Sequence, residues 1–545
     1  MSNNAKHPRA LPYLFFSEMW ERFGYYLMIG IFLLYLKNVE QGFAMTNKEA
    51  SDLYGTFIAL VFLTPFIGGL LADRYFGYKR SIIAGGLMMG AGYCLMAIHS
   101  LPMLYLSMTL VIVGNGFFKP NISTLLGNLY STPQYEKRKD EGYNIFYMGI
   151  NIGAFVCNFF SAAIIIIWGW KYAFVAAGIG MFLGVIIFMS GKRHYISADV
   201  RKPMTKEDMS FSRILITILL PSVVAGAIGW LIPGNIFQSD SNDAFIFACI
   251  PVIYFYASLY FRAEKTEKRP IAALLAIFAA VVMFWAVFKQ NGTALTIWAD
   301  TFTDREVSGT VGTVFSGVYL ADKVEYKKDS VELYDAQFRL QKKDGKVIKE
   351  YNYHPYYKNV EKDKLPKDEE GATLWSTPLS QSINPGWVIL LTPLIVAFFA
   401  FLRNRNKEPS TPTKIAFGLL ISAISVLVMV WAVNASNNGT EKASVWWLIV
   451  TYGIITIGEL LLSPMGLSLV SKLSPVRITA LMMGGWFLAT SIGNKLSGVL
   501  ATMWDGYENK AHFFWVNFVL LMIATIIMFA MLKWLNRIMK EKGVS

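Results

Sequence analysis

The chain has 545 residues, of which 54% are hydrophobic and 16% charged, with a formal net charge of +13 and a mean hydropathy of +0.42. That composition excludes a string of soluble domains and indicates a polytopic membrane protein. The positive charge does not point to nucleic acid, because Lys and Arg gather in alternate loops between apolar runs.

The first apolar run, LPYLFFSEMWERFGYYLMIGIFLLYL from Leu11 to Leu36, is long enough to span a bilayer yet carries Glu18, Glu21 and Arg22. Positions 18, 21, 22 and 25 share one face of a helix. A charge near the bilayer centre costs at least ~2.5–3.5 kcal/mol, so these three must face protein or a wet cavity. A buried ion cluster that clips helices together is the plainer reading; a substrate or proton pathway is favoured because charges recur in other spans. No cleavable signal peptide is expected, since this run is full length and charged.

Further spans are expected at roughly 52–72, 81–99, 103–127, 142–166 and 170–190, then 213–233 and 244–262. The remainder are 271–298, 386–402, 414–434, 445–465, 478–500 and 511–536, about fourteen helices in all. Six plus six with an extra pair between is the natural parse. It gives an N-terminal bundle over 1–190, linkers and a two-helix hairpin over 191–270, and the first helix of a C-terminal bundle at 271–299. An insert follows at 300–385, then the rest of the bundle and a tail over 386–545. The basic clusters are Arg74, Lys79 and Arg80; Lys137, Arg138 and Lys139; Lys192, Arg193, Arg201 and Lys202; Lys265, Lys268 and Arg269; Arg403, Arg405 and Lys407; and Lys533, Arg537, Lys540 and Lys542. The loops IHSLP and LIPGNIFQSDSNDA hold none. This pattern places both termini in the cytoplasm and the chain in the cytoplasmic (inner) membrane, in contact with the lipid bilayer. The insert then lies outside; its alternation and its Asp344-Gly345 pair predict a β-hairpin with a tight turn. It reads as a small decoration or as a docking or oligomerisation element.

Charged residues mark three further spans: Lys119 in GNGFFKPNIS, Lys289 in FWAVFKQNGTAL and Glu459 in IITIGELLLSP. Together with the first helix they occupy helices one and four of each half, and a bundle interface is where two-bundle transporters bind substrate. Lys119 and Glu459 are expected to pair across it and part when a ligand or proton arrives. FYMGINIGAF sets Asn151 between Gly149 and Gly153, either as packing glue or as a ligand's hydrogen-bonding partner. LLSPMGLSLVSKLSP and LMMGGWFLATSIGN add a kinking Pro464 and Trp486. GGLLADRYFGYKR puts Asp73, Arg74, Lys79 and Arg80 at a helix end, suited to a conformational latch or to plain anchoring. Cys94, Cys157 and Cys249 have no metal-ligand spacing and read as core residues. Neither metal nor cofactor is expected. The five histidines lie at span ends or in loops, which argues against an intramembrane enzyme.

With these residues in view, the chain resembles the proton-dependent oligopeptide transporters of the major facilitator superfamily. The resemblance rests on the E-x-x-E-R-F-x-Y-Y run at Glu18 to Tyr26, GGLLADRYFG, FFKPNISTLLGNLY, FYMGINIG, FWAVFKQ, INPGW, GELLLSPMGLS and MMGGWFL. It implies an all-α fold of two six-helix bundles with two added helices, and import of di- and tripeptides driven by protons. By that resemblance Glu18, Glu21, Arg22 and Lys119 form the proton-coupling set. Lys119 also holds the peptide carboxylate, Glu459 receives the amino terminus, and Asn151 and Asn384 hold the backbone. Tyr25, Tyr26, Trp285 and Trp486 would wall the pocket.

The chain departs from the family pattern at three positions. Ile29 stands where an Arg is usual, Lys289 where a Glu is usual, and Phe62 where a pocket Tyr is common. The first two are similar to a salt-bridge pair in relatives; both of its members are changed here, and Lys289 becomes a candidate carboxylate anchor. The rival readings are a carrier of another small anion, such as nitrate or a dicarboxylate, and a non-transporting peptide sensor.

Overall fold

The computed structural model describes residues 7–200, 211–237, 239–367, 369–475 and 479–541. Arg201, Lys202 and Lys542 lie outside the described residues, as do the side chains of Arg74, Lys137 and Pro464.

Long helices joined by short turns account for most of the chain. The first six are α1 (Leu11–Lys37), α2 (Asn47–Leu71), α3 (Tyr78–Leu95), α4 (Leu101–Tyr130), α5 (Lys139–Trp168) and α6 (Trp170–Ser190). An intermediate pair follows, α7 (Ser212–Leu231) and α8 (Asp240–Arg262). The last six are α9 (Lys265–Phe288), α10 (Ile383–Asn404), α11 (Thr411–Ala435), α12 (Trp446–Leu473), α13 (Thr479–Thr502) and α14 (Lys510–Glu541). Among the described residues, 11 helical segments are long and apolar enough to cross a membrane. The first helix is not one of them, because Glu18, Glu21 and Arg22 lower its mean hydropathy.

Some helices start upstream of their apolar runs because polar caps belong to the helix. Thr46 accepts from the Glu49 amide while the Glu49 carboxylate accepts from the Thr46 amide, so α2 begins at Asn47 rather than near 52. Ser239 caps α8 by accepting from the Asn242 amide, and buried Asp243 takes the amides of Ile236 and Phe237 in the preceding turn.

Two bundles result. In the first, α1 packs on α5 and α6, and α4 on α2 and α3; in the second, α11 packs on α12 and α14, and α9 on α13. The intermediate α7 and α8 pack on each other, and α8 also reaches α2, α9 and α13. Large apolar side chains on α7, α8 and α10, such as Val223, Ile253 and Leu394, are exposed, as a lipid-facing surface requires. His7 bonds Tyr130, and Arg269 pairs with Glu541, so both ends of the chain lie on one face, the termini face.

On the opposite face the bundles are tied together along α2 and α13. A Cβ on Gly55 would sit 2.6 Å from the Gly498 Cα, so the two backbones touch there only because both residues lack side chains. Ser491 Oγ donates to the Ala59 carbonyl at 2.6 Å. Lys495, fully buried, donates to Asp52 Oδ1 at 2.8 Å, to Thr56 Oγ1 at 2.6 Å and to Ser241 Oγ of α8 at 2.9 Å. Nearby, Ser382 Oγ donates to the Phe155 carbonyl at 2.8 Å and accepts from Asn158 at 3.2 Å.

The insert sits on this same face. Its strands are β1 (Ala321–Glu325), β2 (Lys328–Glu332), β3 (Lys342–Lys343), β4 (Lys346–Val347), β5 (Lys349–Tyr353) and β6 (Gly371–Trp375). They pair β1 with β6, β2 with β5 and β3 with β4, all antiparallel, so the expected hairpin is the tip of one long folded ribbon. At the tip Asp344 and Gly345 both have positive φ, 51° and 75°, the geometry of a two-residue turn that matches strand twist. Tyr356, Tyr357, Ala372 and Leu374 form its small core. The insert is fastened to the second bundle by Asn359, which donates to the Thr301 and Gly439 carbonyls. Lys442, between α11 and α12, donates to the Thr301 carbonyl at 2.8 Å with its ammonium 4.1 Å from the Tyr356 ring centre. An exposed ion pair, Lys342 with Glu49 at 3.2 Å, reaches the first bundle, and β1 also lies against α5. A cavity of about 770 Å³ lies between the ribbon and the bundle ends, lined by Lys37, Asp300, Arg305, Tyr356 and Thr377 among others.

Two measurements test this architecture. Breaking a buried ion pair on one side leaves an uncompensated charge at a cost of ~3–5 kcal/mol. Because Asp52 is 18% exposed, the lower end is expected for Lys495→Met. Thermal unfolding in detergent should show that variant melting well below the parent, with Asp52→Asn in the same chain recovering part of the loss. Unchanged melting would mean the tie carries no weight. The second measurement concerns Lys442, whose ammonium is held well below the ordinary lysine value by burial and then by Arg305. A docked pKa below the undocked one means the undocked form binds more protons, so docking strengthens as pH rises toward ~10.4. Proteolysis of the insert should slow between neutral pH and pH ~10, and Lys442→Met should flatten that dependence; an unchanged slope in the variant refutes the assignment.

Candidate functional site

The cluster on α1 is built as its spacing predicts. Glu18, Glu21 and Arg22 are 2%, 0% and 2% exposed. Arg22 Nη2 donates to Glu21 Oε1 at 2.7 Å, and its Nε donates to Glu21 Oε2. The same Nε lies 3.3 Å from Glu18 Oε1. One guanidinium therefore serves two carboxylates, and Glu18 Oε2 is left buried without a hydrogen-bond partner. The Arg22 guanidinium also lies 5.3 Å from the centre of the Tyr25 ring, and Tyr25 packs edge to face on Tyr26.

Glycines on α5 bring it against this helix. A Cβ on Gly153 would lie 2.5 Å from the Met19 carbonyl oxygen, and one on Gly149 would lie 3.1 Å from the Phe15 ring. Both are therefore contact residues. Asn151, two residues from each, points to the other side of the helix and is half-buried.

Lys119 on α4 is within electrostatic reach of Glu18 and Glu21, and of the like-charged Arg22, without forming an ion pair with either carboxylate. Its ammonium caps the Phe62 ring at 4.5 Å. Across the interface, α9 stops at Phe288 and continues as a 3-10 turn, Lys289–Gly292, before the short helix Ala294–Thr301. Gly292 is required there, since a Cβ would collide with the Tyr54 hydroxyl. The break turns Lys289 into the interface, where its ammonium lies 5.3, 5.5 and 5.7 Å from the ring centres of Phe62, Trp285 and Phe288. Ile29, the other altered position, is half-buried and packs against the core.

Glu459 on α12 accepts from Asn384 Nδ2 at 3.2 Å, and that same amide donates to Thr456 Oγ1 at 2.8 Å. Tyr26 and Lys289 both lie within electrostatic reach of Glu459. The expected direct pair between Lys119 and Glu459 does not form. Each is held on its own side: Lys119 by the α1 cluster and Phe62, Glu459 by Asn384 and Lys289. Trp285 is half-buried with its indole Nε1 unpartnered, whereas Trp486 is 3% exposed, packed on Gly466 and Phe278.

Asp73 lies in a π-helical turn, Ala72–Phe76, and Lys79 and Arg80 open α3. Asp199, just beyond α6, accepts from the amides of Tyr78 and Lys79 at 2.9 and 3.2 Å. The turn is thus fastened within the first bundle. Asp199, Thr456 and the Asp52–Lys495 tie escaped the sequence reading. Lys495 carried the same signal as Lys119, an ionisable residue inside an apolar run; Asp199 and Thr456 carried none that distinguishes them from other loop acids and helix threonines.

Among the described residues no group of His, Cys, Asp and Glu is arranged to hold a metal ion. The sequence matches the family model described as "POT family" over residues 79–315 and 376–516. It is 28% identical over 547 residues to the di-/tripeptide transporter of Lactococcus lactis subsp. lactis (strain IL1403), covering 98% of this chain and 97% of that relative. It is also 28% identical over 529 residues to the uncharacterized transporter YclF of Bacillus subtilis (strain 168), covering 96% and 93%. The fold matches the crystal structure of a peptide transporter POT in complex with sulfate, with a TM-score of 0.76 and 27% identity over 98% of this chain and 96% of that one. The matched length and the two-bundle fold agree, and the chain belongs to the POT family, as a membrane transporter and not an enzyme.

Proposed function

We propose that the chain is a proton-coupled symporter that imports di- and tripeptides across the cytoplasmic membrane by alternating access, with both termini cytoplasmic and the insert outside. The observation that carries this reading is the charge layout of the interface. An acid with an amide beside it, Glu459 with Asn384, stands on the second bundle, and a lysine without an ion pair, Lys119, stands on the first. A zwitterionic peptide complements both. Names of relatives and the peptide transporter whose fold matches support the substrate class.

The bundle ties on the insert face fit one end of an alternating-access cycle. In this reading Glu18, Glu21, Arg22 and Lys119 couple the proton. Arg22 neutralises one of its two carboxylates, so the remaining negative charge calls for either a proton or the Lys119 ammonium. Proton and lysine become alternatives, and a peptide carboxylate that draws Lys119 away favours protonation. A membrane potential adds ~2.3 kcal/mol per charge per 100 mV, enough for concentrative uptake. Tyr25, Tyr26, Asn151, Trp285, Lys289, Asn384, Glu459 and Trp486 form the peptide site, and Asp73, Arg74, Lys79 and Arg80 form a latch at the cytoplasmic face. The surplus cation Lys289 favours a second reading, a carrier of another small anion.

In proteoliposomes, Glu21→Gln should abolish uptake driven by an inward proton gradient and retain peptide counterflow. Undiminished driven uptake would refute the coupling role. N-acetylated dipeptides should inhibit at least tenfold more weakly than free ones, because losing a charged partner in a desolvated site costs ~1.5–3 kcal/mol. Equal inhibition by the two forms would support the small-anion carrier.

A further inference from the structure

Two lysines from opposite bundles converge on one phenyl ring. Lys119 and Lys289 place their ammonium groups 4.5 and 5.3 Å from the centre of the Phe62 ring. Both lysines are half-buried, and neither has an ion pair within 4.0 Å among the described residues. The ring relieves their mutual repulsion in part, since its negative face attracts each cation. It offers no counter-charge and no hydrogen-bond acceptor.

The acids in reach are unequally shared. Glu18 and Glu21 are near Lys119 but already engage Arg22. Glu459 is the acid within reach of Lys289. In the peptide-binding reading above, on which this inference rests, the amino terminus of the substrate takes Glu459 and its carboxylate takes Lys119. A dipeptide with neutral side chains therefore strips Lys289 of its counter-charge and supplies none in return. A buried cation in that position is costly unless a further anion meets it.

We propose that Lys289, with Phe62 as a spacer that keeps it apart from Lys119, forms a second carboxylate subsite. The preferred substrates are di- and tripeptides that carry an acidic side chain. Trp285 and Phe288 also lie against the ammonium, and their apolar rings lower the local dielectric and sharpen the demand for an anion.

The test is equilibrium binding of three dipeptides to the purified protein in detergent: alanyl-glutamate, alanyl-glutamine and alanyl-alanine. The first two differ in little but charge. The parent is expected to bind alanyl-glutamate about tenfold more tightly than alanyl-glutamine, the effect of one charge-assisted hydrogen bond. In Lys289→Met that ratio should fall to near one, and in Lys289→Arg it should persist. Equal affinities in the parent overturn the subsite while leaving the peptide reading intact, and need no variant to fold. A ratio that survives Lys289→Met also overturns it. Binding of succinate with no binding of any of the three dipeptides overturns the peptide reading itself, and this inference with it.

Discussion

An ion inside an apolar helix has to find its counter-charge within the protein, and α1 meets that demand with Arg22 between Glu18 and Glu21. The arrangement is unbalanced by one charge, and much of the interface geometry follows from that imbalance. Lys119 is held near the cluster without joining it, so it stays available to a ligand. Close approach of α5, through Gly149 and Gly153, seals the cluster from one side and keeps the unpartnered Glu18 oxygen out of bulk water.

The same requirement shapes the rest of the seam. Lys495 is a further cation sunk in the interface, but it is fully satisfied by Asp52, Thr56 and Ser241, and so it ties rather than binds. Ser241 belongs to α8, which makes the intermediate hairpin part of the joint between bundles and not merely a connector. Close packing of Gly55 on Gly498 beside this tie brings the backbones near enough for short side chains to bridge them. A satisfied lysine and two lysines without ion pairs in one interface divide structural from ligand-facing roles by hydrogen-bond accounting alone.

Breaking α9 at Lys289–Gly292 has a double consequence. It frees backbone carbonyls from the helical ladder, and side chains satisfy them: Gln290 Nε2 donates to the Ala286 carbonyl at 3.3 Å, and Thr296 Oγ1 and Gln381 Nε2 donate to the Asn291 carbonyl at 2.7 and 2.9 Å. It also redirects Lys289 toward Phe62. The insert begins shortly after this broken helix and is docked by Lys442 and Asn359 onto the turn that follows it. The ribbon thus leans on the segment that also carries the surplus cation.

The sequence by itself determined the helical spans, the two bundles with their intermediate pair, the strand character of the insert and the identity of most charged residues in the interface. These are local: an apolar run of bilayer length, an Asp344-Gly345 turn or a charge inside a span imposes its cost wherever the chain goes. Helix starts were legible only to within two turns, since capping residues are polar and sit outside the apolar pattern. Which charges meet was decided by the tertiary structure. Lys119 and Glu459 were natural partners by sign and depth, yet Lys119 rests on Phe62 and Glu459 bonds Asn384 instead, and Asp52 found Lys495 across 443 residues of chain. Pairing depends on distance and on competition among neighbours, both set by how the bundles dock, and Coulomb attraction in an apolar interior is too steep in distance for sequence position to stand in for it.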